Sequence, residues 1–183
     1  MERVALIGSR KAPKRILSLA SRTGRFLSEN GVLGYSGGAS GMDTAFMEYY
    51  NPNMRKIFIP DTVFYDHRHN GKDVIALRYL NPNDVLTGIE EVKAVCLWED
   101  LSLKVKKLFT RNAAQVLGER FCEPVDLVLY GASTSNGYVK GGTRIAVKIA
   151  ERHGIPCVNI YDPLIFRALK SIVNPDLRDL GIL

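Results

Sequence analysis

Ser36, Gly37, Gly38, Ala39, Ser40, Gly41 and, two positions on, Asp43 form a glycine-rich run between an apolar segment and an amphipathic one. Those residue types at that spacing suit one task, the holding of an anion. Glycines at 37, 38 and 41 let the main chain turn through positive φ and approach a ligand closely, while the first N–H groups of a following helix favour negative charge. A phosphate is the matching guest, whether on a nucleotide or on a nucleic-acid backbone. Two further glycine-bearing turns carry suitable side chains. Gly8, Ser9 and Arg10 lie near the start of the chain, and a long loop opens at Gly131 and closes on Lys140, Gly141, Gly142 and Thr143. An arginine such as Arg10 can grip a phosphate bidentately. On a strongly basic segment, Arg111 and Asn112 offer a second guanidinium and an amide. Asp43 suits a helix's first turn, as a cap or as a partner for a cationic or sugar hydroxyl group.

These clusters act together only if the elements between them bring all three turns to one edge. Residues 4–7 are a short continuous apolar run ending at a glycine, as a buried parallel strand should. Pro13 suits a first helical turn, and Ile16, Leu17, Ala20, Gly24, Phe26 and Leu27 share a helical face before Asn30 and Gly31 supply a stop. Strands follow at 32–35 and 56–59, with a helix over 42–50 between them. Residues 61–91 are rich in Asn, Asp, Pro and Gly, and a short helix at 73–79 is the one element the pattern predicts there. So long an excursion implies a lid, an interaction surface or further structure. A basic helix over 102–117 should turn Leu103, Leu108, Ala114 and Leu117 inward. A strand at 125–130, a helix over 143–153 ended by Gly154, a strand at 157–160 and a helix over 163–173 complete the chain. The alternation predicts an α/β fold in one domain over 1–183: a doubly wound, mostly parallel Rossmann-like sheet with helices on both faces. In such sheets ligands bind beyond the carboxyl ends of the strands, where all three glycine-bearing turns fall.

Bulk properties narrow the setting. Hydrophobic residues at 46% and charged residues at 24% are ordinary for a globular chain, which argues against disorder. No apolar run approaches the roughly 18 residues of a membrane span, and the first residues lack a signal-peptide pattern. Cys96, Cys122 and Cys157 are odd in number and show no C-x-x-C spacing, so reduced, packed thiols and a cytoplasmic location are expected. An excess of 25 basic over 19 acidic residues, net +6, favours polyanionic partners. Neither a G-x-G-x-x-G turn after the first strand nor a G-x-x-x-x-G-K-[ST] loop is present, which excludes a conventional NAD enzyme or P-loop ATPase. Asp66, His67, Arg68 and His69 have H-x-H spacing without a third ligand, and read as a surface loop rather than a metal site. Neither a metal nor a cofactor is expected. Among the aromatics, Tyr65 and Tyr138 are placed in loops where they could stack on bases, whereas Trp98 beside residues 95–97 reads as core.

The combination of Gly8-Ser9-Arg10, the Ser-Gly-Gly-Ala-x-Gly-x-Asp turn from Ser36 to Asp43, the Arg111-Asn112 pair and Lys140-Gly141-Gly142-Thr143 resembles the SLOG superfamily, in its DNA-processing protein A branch. The resemblance covers most of the chain; the second motif is highly specific and the fourth a loose match. It is nearest the short bacteriophage-type relatives, which lack flanking helical and winged-helix material. It implies binding of single-stranded DNA without a catalytic residue, with Arg10, Arg111 and Lys140 neutralising phosphates, the residue 37–41 turn donating N–H groups, and a homodimer as the assembly. Two alternatives share the cradle. One is capture of a signalling nucleotide such as an ADP-ribose derivative, which SLOG domains also perform. The other is N-glycosidic cleavage of nucleoside monophosphates, as in the sister LOG branch, whose signature places glutamates just after a P-G-G-x-G-T loop. Here Gly141, Gly142 and Thr143 lead into Arg144, Ile145 and Ala146, so the carboxylate is missing where that branch has it. Asp43, Glu48 or Asp61 would have to substitute.

Overall fold

Val4, Ala5, Leu6 and Ile7 are all buried, because the strand they form is covered on both faces. The computed structural model describes residues 1–173. Its elements in chain order are β1 (Arg3–Gly8), α1 (Lys14–Glu29), β2 (Leu33–Ser36), α2 (Met42–Met47), β3 (Arg55–Ile59), β4 (Val63–Phe64) and β5 (His67–Arg68). There follow β6 (Val74–Ala76), α3 (Pro82–Lys93), α4 (Leu103–Leu117), β7 (Leu127–Gly131), β8 (Thr134–Ser135), β9 (Tyr138–Val139), α5 (Thr143–Arg152), β10 (Cys157–Asn159) and α6 (Pro163–Val173).

Six strands form one sheet in the order β10-β7-β1-β2-β3-β6, every neighbouring pair parallel. The period-2 alternation of a strand sends Val4 and Leu6 toward the layer of α1, α2 and α6. Ala5 and Ile7 point instead toward the layer of α3, α4 and α5. This is the doubly wound α/β architecture the sequence predicts. The chain runs outward from β1 to β2 on one side and resumes at β7 on the other, so the strand order reverses between β1 and β7. In doubly wound sheets such a reversal is where a ligand crevice opens, beyond the carboxyl ends of the two strands.

The middle of the chain departs from expectation. In place of a helix at 73–79, Val74–Ala76 is a fourth parallel strand and Leu77–Tyr79 a single 3-10 turn. Residues 74–76 are buried on the sheet, and a three-residue apolar run is too short for periodicity to tell strand from helix. The helix α3 was not anticipated, although its start carries a local signal. Pro82 occupies the first turn, and the Asn81 side chain accepts a hydrogen bond from Asn83 N–H. Leu103, expected inside, is 72% exposed; α4 turns its buried side inward only from Thr110 onward. Among the cysteines, all free, Cys122 is exposed rather than packed.

Candidate phosphate-binding site

The loop after β1 and the loop after β7 are joined directly, the Ser9 N–H donating to Gly131 O at 2.7 Å. The glycine-rich turn closes on the same point, with the Met42 N–H donating to Ser9 O at 3.1 Å. Gly41 makes this approach possible. Its φ is +87°, and a Cβ there would press on the carbonyls of Ser9 and Arg10. Two of the three turns therefore flank the β1–β7 crevice, and the third is bonded to them.

Beneath the turn lies a buried ion pair. Asp43, in the first turn of α2, accepts hydrogen bonds from the Gly8 N–H at 3.0 Å and the Ala39 N–H at 3.4 Å. Its other neighbour is Arg111 from α4, with Nη1 3.6 Å from the carboxylate. Burial raises the Asp43 pKa above the ordinary carboxylate value, while Arg111 and the N–H groups of Gly8, Ala39 and Gly37 pull it back. Burial likewise lowers the pKa of Arg111, opposed by Asp43. The Arg111 guanidinium fills the space that a Cβ at Gly37 would occupy and lies 5.5 Å from the ring centroid of Phe64. Its Nε and Nη1, and the Gln115 Nε2 one turn along α4, are buried without a hydrogen-bond partner. Ser36 is also below the surface, its hydroxyl donating to Leu6 O at 2.8 Å and tying β2 to β1.

Ser36, Asp43 and Arg111 are thus gathered at the turn but under it, at 0%, 3% and 6% exposure. The solvent-facing members of the three loops are different residues. Arg10, Ser40, Lys140, Gly141 and Gly142 are exposed, and Ser9, Gly41 and Thr143 half-buried. The N–H groups of Ser40 and Gly41 have no acceptor among the described residues. Asn112 is buried and reaches the late loop, its Nδ2 donating to Gly142 O at 3.0 Å. Gly38 and Gly131 are buried, one within the turn and the other at the end of β7.

One contributor went unanticipated. The β4–β5 hairpin lies over the turn, with Phe64 against Arg111 and the His67 ring packed on Gly38. Burial lowers the His67 pKa below 6.5. Tyr65, 48% exposed, accepts a hydrogen bond from Arg10 Nη1 at 3.5 Å. The adjacent aromatics of Phe64 and Tyr65 within a polar stretch were the available signal. His69 turns elsewhere, its Nδ1 accepting from the Ala76 N–H at 3.2 Å. No group of three His, Cys, Asp or Glu placed to hold a metal occurs among the described residues. Of the other carboxylates, Asp61 pairs with Lys107 at 2.8 Å and Glu48 is exposed at the end of α2.

No family model matches the chain, and no curated protein matches it. Solved structures with a similar fold include two. One is DNA processing protein A from Helicobacter pylori, characterised for its single-stranded DNA binding mode, at 16% identity and a TM-score of 0.59, covering 97% of this chain and 81% of that one. The other is the molybdenum cofactor carrier protein of Chlamydomonas reinhardtii, at 14% identity and a TM-score of 0.50, covering 100% of this chain and 88% of that one. Among the described residues no helix is long and apolar enough to cross a membrane.

Proposed function

We propose that the crevice binds single-stranded DNA through its phosphates and does no covalent chemistry on it, as a DNA-processing-protein-A-like member of the SLOG superfamily. The observation that carries this reading is the convergence of the three strand-end loops at the β1–β7 crevice around a turn with two open N–H donors. Arg10 at the mouth supplies the charge, and Lys140 on the late loop a second cation. Ser36, Asp43, Arg111 and Asn112 hold the turn and the late loop in shape. Tyr65, hydrogen-bonded by Arg10, offers a face for a base. The working form is a cytoplasmic homodimer.

The test is binding of a labelled oligothymidylate at low ionic strength. Arg10→Ala and Lys140→Ala should each weaken it several-fold while leaving the thermal midpoint of the protein unchanged. A protein that ignores oligonucleotides but takes up AMP or ADP-ribose overturns the DNA reading in favour of nucleotide capture. That second reading draws on the small number of exposed cations at the mouth, enough for one or two phosphates. Hydrolysis is disfavoured by the carboxylates themselves, since Asp43 is committed to main-chain N–H groups and Arg111, and Asp61 to Lys107. Release of free base from nucleoside monophosphates would reinstate it.

A further inference from the structure

We propose that the cleft between α3, the first turns of α4 and the segments leaving β3 and β6 is a second binding site, for a small organic anion with an aromatic or branched aliphatic body. The cleft encloses about 470 Å³, within the roughly 300–1,000 Å³ of small-molecule pockets. Its walls are apolar: Leu77 after β6, Val85 and Ile89 one turn apart on α3, Trp98, and Leu103 on α4. Leu103, 72% exposed, stands at its edge.

The charges around these walls are unbalanced. Asp61 is the only acid lining the cleft among the described residues, and it is held by the Lys107 ammonium at 2.8 Å, whose hydrogen bond keeps the Asp61 carboxyl below its ordinary pKa. Two cations remain. The Lys106 Nζ lies 5.2 Å from the centre of the Trp98 ring, and the Arg78 guanidinium 5.6 Å from that of Tyr79. Neither forms a salt bridge with a carboxylate among the described residues. The Thr110 hydroxyl is spent on Lys106 O at 3.0 Å. Recognition therefore falls to an apolar surface and two positive charges. A hydrated inorganic ion gains nothing from the apolar walls, and a cation is repelled at the rim. A carboxylate, sulfonate or phosphate on an apolar body satisfies both.

This site is independent of the phosphate crevice. On α4, Arg111 serves the glycine-rich turn, whereas Leu103, Lys106 and Lys107 serve the cleft. Trp98 is the only tryptophan in the chain, so its emission reports on the cleft directly. The experiment titrates the full chain with 1-anilinonaphthalene-8-sulfonate and follows quenching of Trp98, with neutral N-phenyl-1-naphthylamine as the control. Saturation at one sulfonate per chain is expected, with the neutral compound at least about tenfold weaker. Lys106→Gln and Arg78→Gln should each weaken the sulfonate about three- to tenfold, as loss of a partly exposed charged contact does. Ile89→Phe, which fills the cleft, should weaken both compounds, and Arg10→Ala neither. Equal affinity for the two compounds, or indifference to Lys106→Gln and Arg78→Gln, overturns the proposal. Those two variants alter side chains at the rim, so the test stands even if Ile89→Phe fails to fold.

Discussion

Gly37 lacks a side chain where the Arg111 guanidinium needs the room, so Gly37→Ala must displace either the turn or the arginine. The arginine cannot move cheaply, being buried with Asp43 as its ion-pair partner. We expect Gly37→Ala to lower stability by about 1–3 kcal/mol, as overpacking of a filled site does, read as a fall in the urea midpoint. Gly141→Ala is the useful contrast for packing, since a Cβ there meets nothing within 4 Å and the cost is confined to its positive φ. The glycines and Asp43 were legible as a group from their spacing alone. Which side chains face a ligand was not. Arg10 and Arg111 read alike in sequence, yet one is exposed beside Tyr65 and the other is enclosed beneath Phe64. Burial of an arginine depends on residues far along the chain, and no local pattern encodes it.

At the scale of elements, the segment between β3 and α3 decides how the turn is covered. Its strand β6 is held to β3 by a small polar cluster. Arg55 Nε lies 2.8 Å from one oxygen of Asp73, and Asn70 Nδ2 donates to the other at 2.7 Å. Burial alone would raise the Asp73 pKa, but the hydrogen bonds from Asn70 and Arg55, with the charge of Arg55, outweigh it, and the net effect holds the carboxyl below its ordinary value. For a carboxyl depressed in the folded state, the contribution to stability is full above the unfolded value and is lost as the pH falls through the folded one. The wild-type protein should therefore lose stability below about pH 4 more steeply than Asp73→Asn, measured as urea midpoints between pH 5.5 and 2.5. A variant with the same acid slope as wild type would remove Asp73 from the account. Outside this segment the β8–β9 hairpin, two residues a strand, reads as loop, but the helices and the strands of the six-strand sheet were readable because each carries an apolar period. Residues 61–91 were not, because β4, β5 and β6 are two or three residues long and take their conformation from what they pack on.

At the scale of the molecule, the net charge of +6 says only that an anionic partner is favoured. The proposed reading, with one exposed cation on each of two strand-end loops, makes that quantitative. If Arg10 and Lys140 each neutralise one phosphate of a single strand, the slope of log affinity against log salt should be about −1.4, with about 0.7 lost on removing either. A slope near zero would mean that the phosphates are not what the crevice holds. A much steeper slope would bring in the lysines of α4.

The sequence by itself determined the architecture and the edge of the sheet to which the three glycine-bearing turns come, because apolar runs and glycine-bearing turns are local signals and their alternation permits few topologies. It also marked the glycines and Asp43 as one local group, though not Phe64 and His67, which pack on the turn as well. The tertiary structure alone decided their division of labour, since Asp43 bonds the N–H of Gly8, Arg111 comes from a helix on the other side of the sheet, and the β4–β5 hairpin lies across both. Those approaches join segments distant in sequence. Whether a charge meets solvent or a buried partner is fixed only when such segments pack.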